Sequence, residues 1–209
     1  MKNNKCKICR RLGVKLFLKG ERCFSPKCPM IKRPYPPGQK RKRRPKALSE
    51  YGKELKEKQK LKNWYNLEER QFRRYVKEIL SRKQRKEDAA TTLIRKLENR
   101  LDNVVFRLGI ASSRKKARQL ISHRHFLVNG KIVNIPSFEV KKGNVITVSS
   151  KVRKKIVFQN LPTLLKKYKP PSWLKLNVEK LEAEVISQPS LEEAAPPVEV
   201  PLIFEYYSR

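Results

Sequence analysis

The sequence predicts an α+β fold: a cysteine-stapled N-terminal extension, a helical domain, and a small module of two helices on a short twisted sheet. Three observations carry this reading. Four cysteines fall in two close pairs within the first 28 residues. Apolar residues then recur at helical spacing through a strongly basic region. Past residue 125 the pattern changes to alternation around an Asn-Gly pair.

Charge sets the class of partner. The 209 residues include 52 Lys or Arg against 19 Asp or Glu, a net charge of +33. Solubility needs only about 2–8 units in a small domain. A larger surplus repels itself unless a polyanion neutralises it, so nucleic acid is the expected partner. Residues 1–50, 51–175 and 176–209 carry +15, +23 and −5. No apolar run reaches the roughly 20 residues of a membrane span, so no membrane association is expected. The N-terminus has no apolar stretch of the signal-peptide kind, and the chain is expected to stay in the cytoplasm.

The cysteines read as Cys6-x2-Cys9 and Cys23-x4-Cys28. Each short pair turns two sulfurs toward one point, and the loop between brings the second pair over. One structural zinc ion held by Cys6, Cys9, Cys23 and Cys28 is expected, and residues 1–45 are read as a zinc-binding basic extension. Lys5, Lys7, Arg10, Arg22 and Lys27 crowd the pairs, and positive charge favours thiolate. Four sulfurs fill the shell, leaving no catalytic position. An iron–sulfur cluster takes the same ligands, and spacing does not separate the two.

From Lys32 to Lys46 four prolines and a glycine prevent regular structure. Lys40, Arg41, Lys42, Arg43, Arg44 and Lys46 are expected to track a phosphate backbone. Residues 46–90 are read as a helical domain. Ser49–Lys62 carries sparse leucines among Lys53, Lys56, Lys58 and Lys60. Asn66 with Glu69 reads as a capping box for a helix to about Arg82. Leu67, Phe72, Tyr75, Val76, Ile79 and Leu80 form its apolar stripe. Arg70, Arg73, Arg74 and Lys77 lie largely on other faces, free for phosphate.

Residues 91–155 are read as the compact module. Thr91 or Thr92 opens a helix with Leu93, Leu97, Leu101, Val104, Val105 and Leu108 inward. Gly109 takes the left-handed C-terminal position. Ser112 or Ser113 restarts a helix with Ala117, Leu120 and Ile121 inward. Phe126 to Val133 then forms a hairpin turning at Asn129-Gly130, and Asn144–Ser149 supplies a further strand. Helix N-termini beside basic side chains attract phosphate. The Pro- and Glu-rich stretch at 187–201 is read as a linker that forms neither helix nor central strand. Residues 202–207 are β-prone by composition, and they are expected to dock back on the body, completing the helical domain together with 156–201.

The stretches RLDNVVFRLG (100–109), ASSRKKARQLISH (111–123) and FLVNGKIVNIPSF (126–138) resemble the S-four RNA-binding domain. SEYGKELKEKQKLK, LEERQFRRY and the closing EYYSR resemble the small-subunit ribosomal protein family after which that domain is named. The four-cysteine N-terminus resembles its zinc-bearing bacterial form. The resemblance implies an RNA-binding module inserted in a helical domain. It implies binding of small-subunit ribosomal RNA early in assembly, at a multi-helix junction of the 5′ domain. It also implies contact with a neighbouring S-five type protein and a place beside the path by which mRNA enters, hence an influence on accuracy. Arg100, Ser112, Ser113, Arg114, Lys115 and Arg118 match the domain's RNA-facing positions, and Asn129, Gly130 and Lys131 match its hairpin. His123 joins this set as an imidazole able to stack on a base. Asp102 is expected to hold Arg100 or a helix end rather than RNA. Arg124 stands where the family often has Gly.

Enzymes and DNA regulators fit less well. No acid/base pair, Gly-rich phosphate loop or nucleophile motif stands out, so no catalytic residue and no small-molecule substrate is expected. A DNA regulator needs a base-reading helix and commonly a dimer seam, and neither is visible.

Overall fold

The computed structural model describes residues 5–38, 47–81, 88–153, 155–166 and 168–209. Its helices are α1 (Lys5–Leu12), α2 (Glu21–Phe24), α3 (Pro29–Lys32), α4 (Glu50–Trp64), α5 (Glu69–Leu80), α6 (Ala89–Glu98), α7 (Leu101–Arg107) and α8 (Arg114–Ser122). After the first strands come α9 (Ser150–Arg153), α10 (Ile156–Gln159), α11 (Leu161–Lys166), α12 (Leu191–Ala194) and α13 (Val200–Ser208). The strands are β1 (Phe126–Val128), β2 (Lys131–Val133), β3 (Val145–Val148), β4 (Leu174–Asn177) and β5 (Glu182–Val185). The chain forms two compact units, one through Leu93 plus Pro196–Arg209 and the other Ile94–Ala195.

In the first unit, Ser49 caps α4 by accepting from the Gly52 amide. Helix α5 buries Phe72, Val76 and Ile79, one residue per turn on a single face. Its start differs from the expected capping box. Glu68 is the N-cap and makes no side-chain cap bond, while Asn66 takes a positive φ of 56°. Glu69 is drawn away by Lys58 at 2.7 Å and Lys62 at 2.9 Å. The expected β-character of 202–207 is also corrected. These residues lie in α13, which starts with a proline in its first turn and buries Val200 and Ile203. That spacing lets one helical face pack on α4 and α5, overriding local propensity.

The expectation of a zinc ion is corrected. Among the described residues no group of three or more His, Cys, Asp or Glu is placed to hold a metal ion. Cys6, Cys9, Cys23 and Cys28 gather around one void of about 10 Å³, yet as packed free thiols. Cys9 and Leu16 form a small apolar cluster with Leu12. Burial pushes the Cys9 thiol up. The Lys19 amide donates to the Cys23 sulfur. Among the described residues, the packing of Cys9, Leu12 and Leu16 holds the N-terminal segment.

The second unit holds one antiparallel sheet in the order β2-β1-β3-β5-β4. The Asn-Gly pair takes φ of 50° and 78°, the primed turn that suits strand twist. Phe126 stands opposite both Val133 and Val148, and Ile146 opposite Ala183. Alternation puts Phe126, Val128, Ile146, Val148, Ala183 and Val185 into one core with Val104, Val105, Leu120 and Ile121 of α7 and α8. Phe158 and Trp173 complete it. One turn of helix, α12, interrupts the stretch at 187–201 that was read as free of helix. Ser190 caps it by accepting from the Glu193 amide.

Candidate nucleic-acid interface

Helix α8 divides its charges by face. Ser113 caps it, accepting from the Lys116 amide at 3.3 Å. Ala117, Leu120 and Ile121 point into the core. Ser112, Lys115 and Lys116 are exposed and Arg118 is half-buried. The helix ends in a Schellman motif: the Arg124 amide donates to the Ile121 carbonyl at 2.8 Å and the His125 amide to the Leu120 carbonyl at 3.4 Å. Arg124 occupies its left-handed position at φ 59°, and its side chain is exposed beside exposed His123. At the hairpin tip Asn129, Gly130 and Lys131 are exposed. The Asn129 amide oxygen accepts from the Val145 N–H at 2.8 Å, which ties the tip to β3.

Two expected contact residues in this unit are buried. Arg100 is 2% exposed and pairs with Asp102 at 2.6 Å. Arg114 donates to Asn103 Oδ1 at 2.7 Å and lies 4.5 Å from the Phe106 ring centroid. Asn103 in turn donates to Glu98 at 2.6 Å. Glu98 also receives two hydrogen bonds from Arg107, at 2.9 and 2.8 Å. This network fixes α6 to α7 and α7 to α8. Arg100 and Arg114 are thus buried with partners inside the fold.

In the first unit Lys53, Arg70, Arg73, Arg74 and Lys77 are exposed and Lys56 is half-buried. Lys58 is the exception at 4% exposed. It pairs with Glu69 and sits 4.4 Å from the Tyr206 ring centroid, so it clamps α13 rather than facing solvent. Tyr207 donates to Glu69 at 2.8 Å. Burial alone lifts the Glu69 carboxyl, but the bonds from Lys58, Lys62 and Tyr207 outweigh it and hold the group at about 2. Lys40, Arg41, Lys42, Arg43, Arg44 and Lys46 lie outside the described residues.

Residues 1–98 match the ribosomal protein S4/S9 N-terminal domain family, and residues 99–146 match the S4 domain family. A small ribosomal subunit protein uS4 from Caldicellulosiruptor saccharolyticus is 50% identical over 204 residues, covering 98% of this chain and 96% of that protein. This chain belongs to the uS4 family. The uS4 proteins of Thermus thermophilus and Clostridium tetani are 46% and 48% identical, each over 98% of this chain and 96% of theirs.

For a uS4-family chain, sequence reasoning passed over several groups that the structure brings forward. Lys116 is exposed beside the expected set, and Lys141 and Lys142 are exposed at the turn before β3. Glu98 was passed over too, although its spacing was a usable signal. It stands four residues after Ile94 and three before Leu101, inside the apolar stripe. An acid there requires buried donors.

Proposed function

We propose that this chain binds small-subunit ribosomal RNA as a structural component of the small ribosomal subunit, with no chemical step. One observation carries the reading. Helix α8 buries its apolar face and leaves Lys115, Lys116 and part of Arg118 in water, with no acidic residue from Arg114 to Ser122. The exposed cations of α5 are a second such face in the other unit. Membership of the uS4 family supports the finer roles: nucleating assembly at a multi-helix junction of the 5′ domain, bordering the path by which mRNA enters, and influencing accuracy. The same support extends to a neighbouring S-five type protein and to work in the cytoplasm. The contacts to duplex RNA are to phosphate and shape, since the A-form major groove is too deep and narrow for side chains to read.

The test compares affinity for small-subunit ribosomal RNA and for duplex DNA at matched salt. Tighter binding to the RNA is expected, falling steeply with salt as each neutralised phosphate releases counterion. Equal or tighter binding to duplex DNA sinks the proposal.

A further inference from the structure

We infer that Phe17 and Phe24 form a stacking platform for one unpaired base of RNA. This deepens the RNA-binding reading above and rests on it. The two rings stack with centroids 4.9 Å apart and planes inclined by 28°. Both stay in water, Phe17 at 37% and Phe24 at 72% exposed. The neighbours just before them, Leu16 and Cys23, are buried, so the local fold turns both rings outward. Phe17 also holds φ at 52°, a left-handed conformation that costs any residue with a Cβ. Strained positions of this kind persist where the surroundings over-determine them, and they cluster at binding sites.

The surroundings select the occupant. The Lys15 ammonium lies 5.3 Å from the Phe17 ring centroid. Arg22 in α2 and Lys27 just after that helix are exposed. Glu21 is the single acidic residue from Lys5 to Arg33, against ten basic ones. A basic protein surface would be repelled here, whereas a polyanion is drawn in. Phe17 already contacts Phe24 and Lys15, so the open ring face belongs to Phe24. An aromatic face rimmed by cations suits a nucleobase, which offers a π-face whatever its identity, with its phosphates reaching the rim. Bases inside a duplex present no face, so the occupant is a bulged, looped or junction base.

The full-length chain tests this with small-subunit ribosomal RNA. Phe24→Ala is expected to weaken binding by about 5- to 150-fold, the range for losing one stacked base. Phe24→Leu should lose as much, since it keeps apolar volume without a π-face and guards against any misfolding of the alanine variant. Phe24→Trp should bind at least as tightly as the parent. The salt dependence should not change, because no charge is removed. Chemical probing should find one unpaired base that becomes reactive in the Ala and Leu variants. Unchanged affinity and reactivity in both, with the parent chain binding RNA, overturns the platform and leaves the RNA-binding reading standing. Variants that bind RNA normally but lose a neighbouring small-subunit protein also overturn it. A parent chain without preference for the RNA overturns both.

Discussion

Removing the Glu98 carboxylate should unfasten the second unit. Glu98 is fully buried at 0% exposure. It accepts from Asn103 at 2.6 Å and from Arg107 at 2.9 and 2.8 Å. In Glu98→Ala those donors lose a charged acceptor in a place with little access to water. Breaking a buried ion pair from one side costs about 3–5 kcal/mol. The Arg107 side chain is 18% exposed, so water recovers part of the loss, and we place the cost near the lower end, at about 3 kcal/mol. Glu98→Gln keeps the shape but turns an amide N–H toward Arg107, costing about 1–3 kcal/mol. The two tryptophans make a clean assay, since Trp64 lies in the first unit and Trp173 is buried in the second. In a Trp64→Phe background, urea unfolding followed by Trp173 fluorescence reports the second unit alone. With a slope of about 1–3 kcal/mol per molar urea, the midpoint should fall by roughly 1–3 M. A loss below about 1 kcal/mol would refute the network's structural role. So would strict additivity with Arg107→Met, because residues sharing an ion pair do not add.

Four further outcomes follow from the same geometry. Arg73→Ala with Arg74→Ala should leave the melting temperature unchanged and lower the slope of log affinity against log salt by about one for each phosphate no longer neutralised; an unchanged slope removes α5 from the interface. Arg124→Gly should stabilise the second unit by up to about 1 kcal/mol, since Gly takes the left-handed position freely, as read by the Trp173 assay. Gly109→Ala should cost about 1–2 kcal/mol in that assay, because φ is 76° and the new Cβ would stand 2.8 Å from the Tyr168 ring. The Glu69 carboxyl is depressed from 4.5 to about 2, so its contribution is complete above pH 4.5 and is lost as pH falls toward 2; near-ultraviolet circular dichroism of the tyrosines around α13 should show that loss, and Glu69→Gln should abolish its pH dependence.

Legibility in the sequence followed the range of the interaction. The Asn129-Gly130 turn and the left-handed Gly109 are set within a few residues and could be read directly, and the cap of α8 could be narrowed to Ser112 or Ser113. Strands β4 and β5 could not. They are four residues each, and Leu-Lys-Leu-Asn and Glu-Ala-Glu-Val carry few β-branched residues. The pairing of β5 with β3 and of β4 with β5 decides them, not their own propensity. Helix α13 was missed for the same reason, since its fate depends on α4 and α5. Burial of a cation was illegible wherever it had a hidden acid. Composition places Lys58, Arg100 and Arg114 among their basic neighbours, but Glu69, Asp102 and the Glu98–Asn103 pair claim them. The cysteine spacing raised a similar ambiguity: close thiols pack against apolar neighbours as readily as they ligate.

The clamp between α4 and α13 also sets a schedule for synthesis. Tyr51 and Tyr206 touch across 155 residues of chain. At about 5–20 residues per second, a ribosome needs roughly 8–30 s to make that span. Throughout the interval α4 is complete and Lys58 waits without its tyrosine cover. The whole second unit emerges meanwhile and folds on its own contacts. The first unit therefore begins before the second and finishes after it. The face of α4 that bears Glu54, Lys58 and Leu61 stays uncovered during that time.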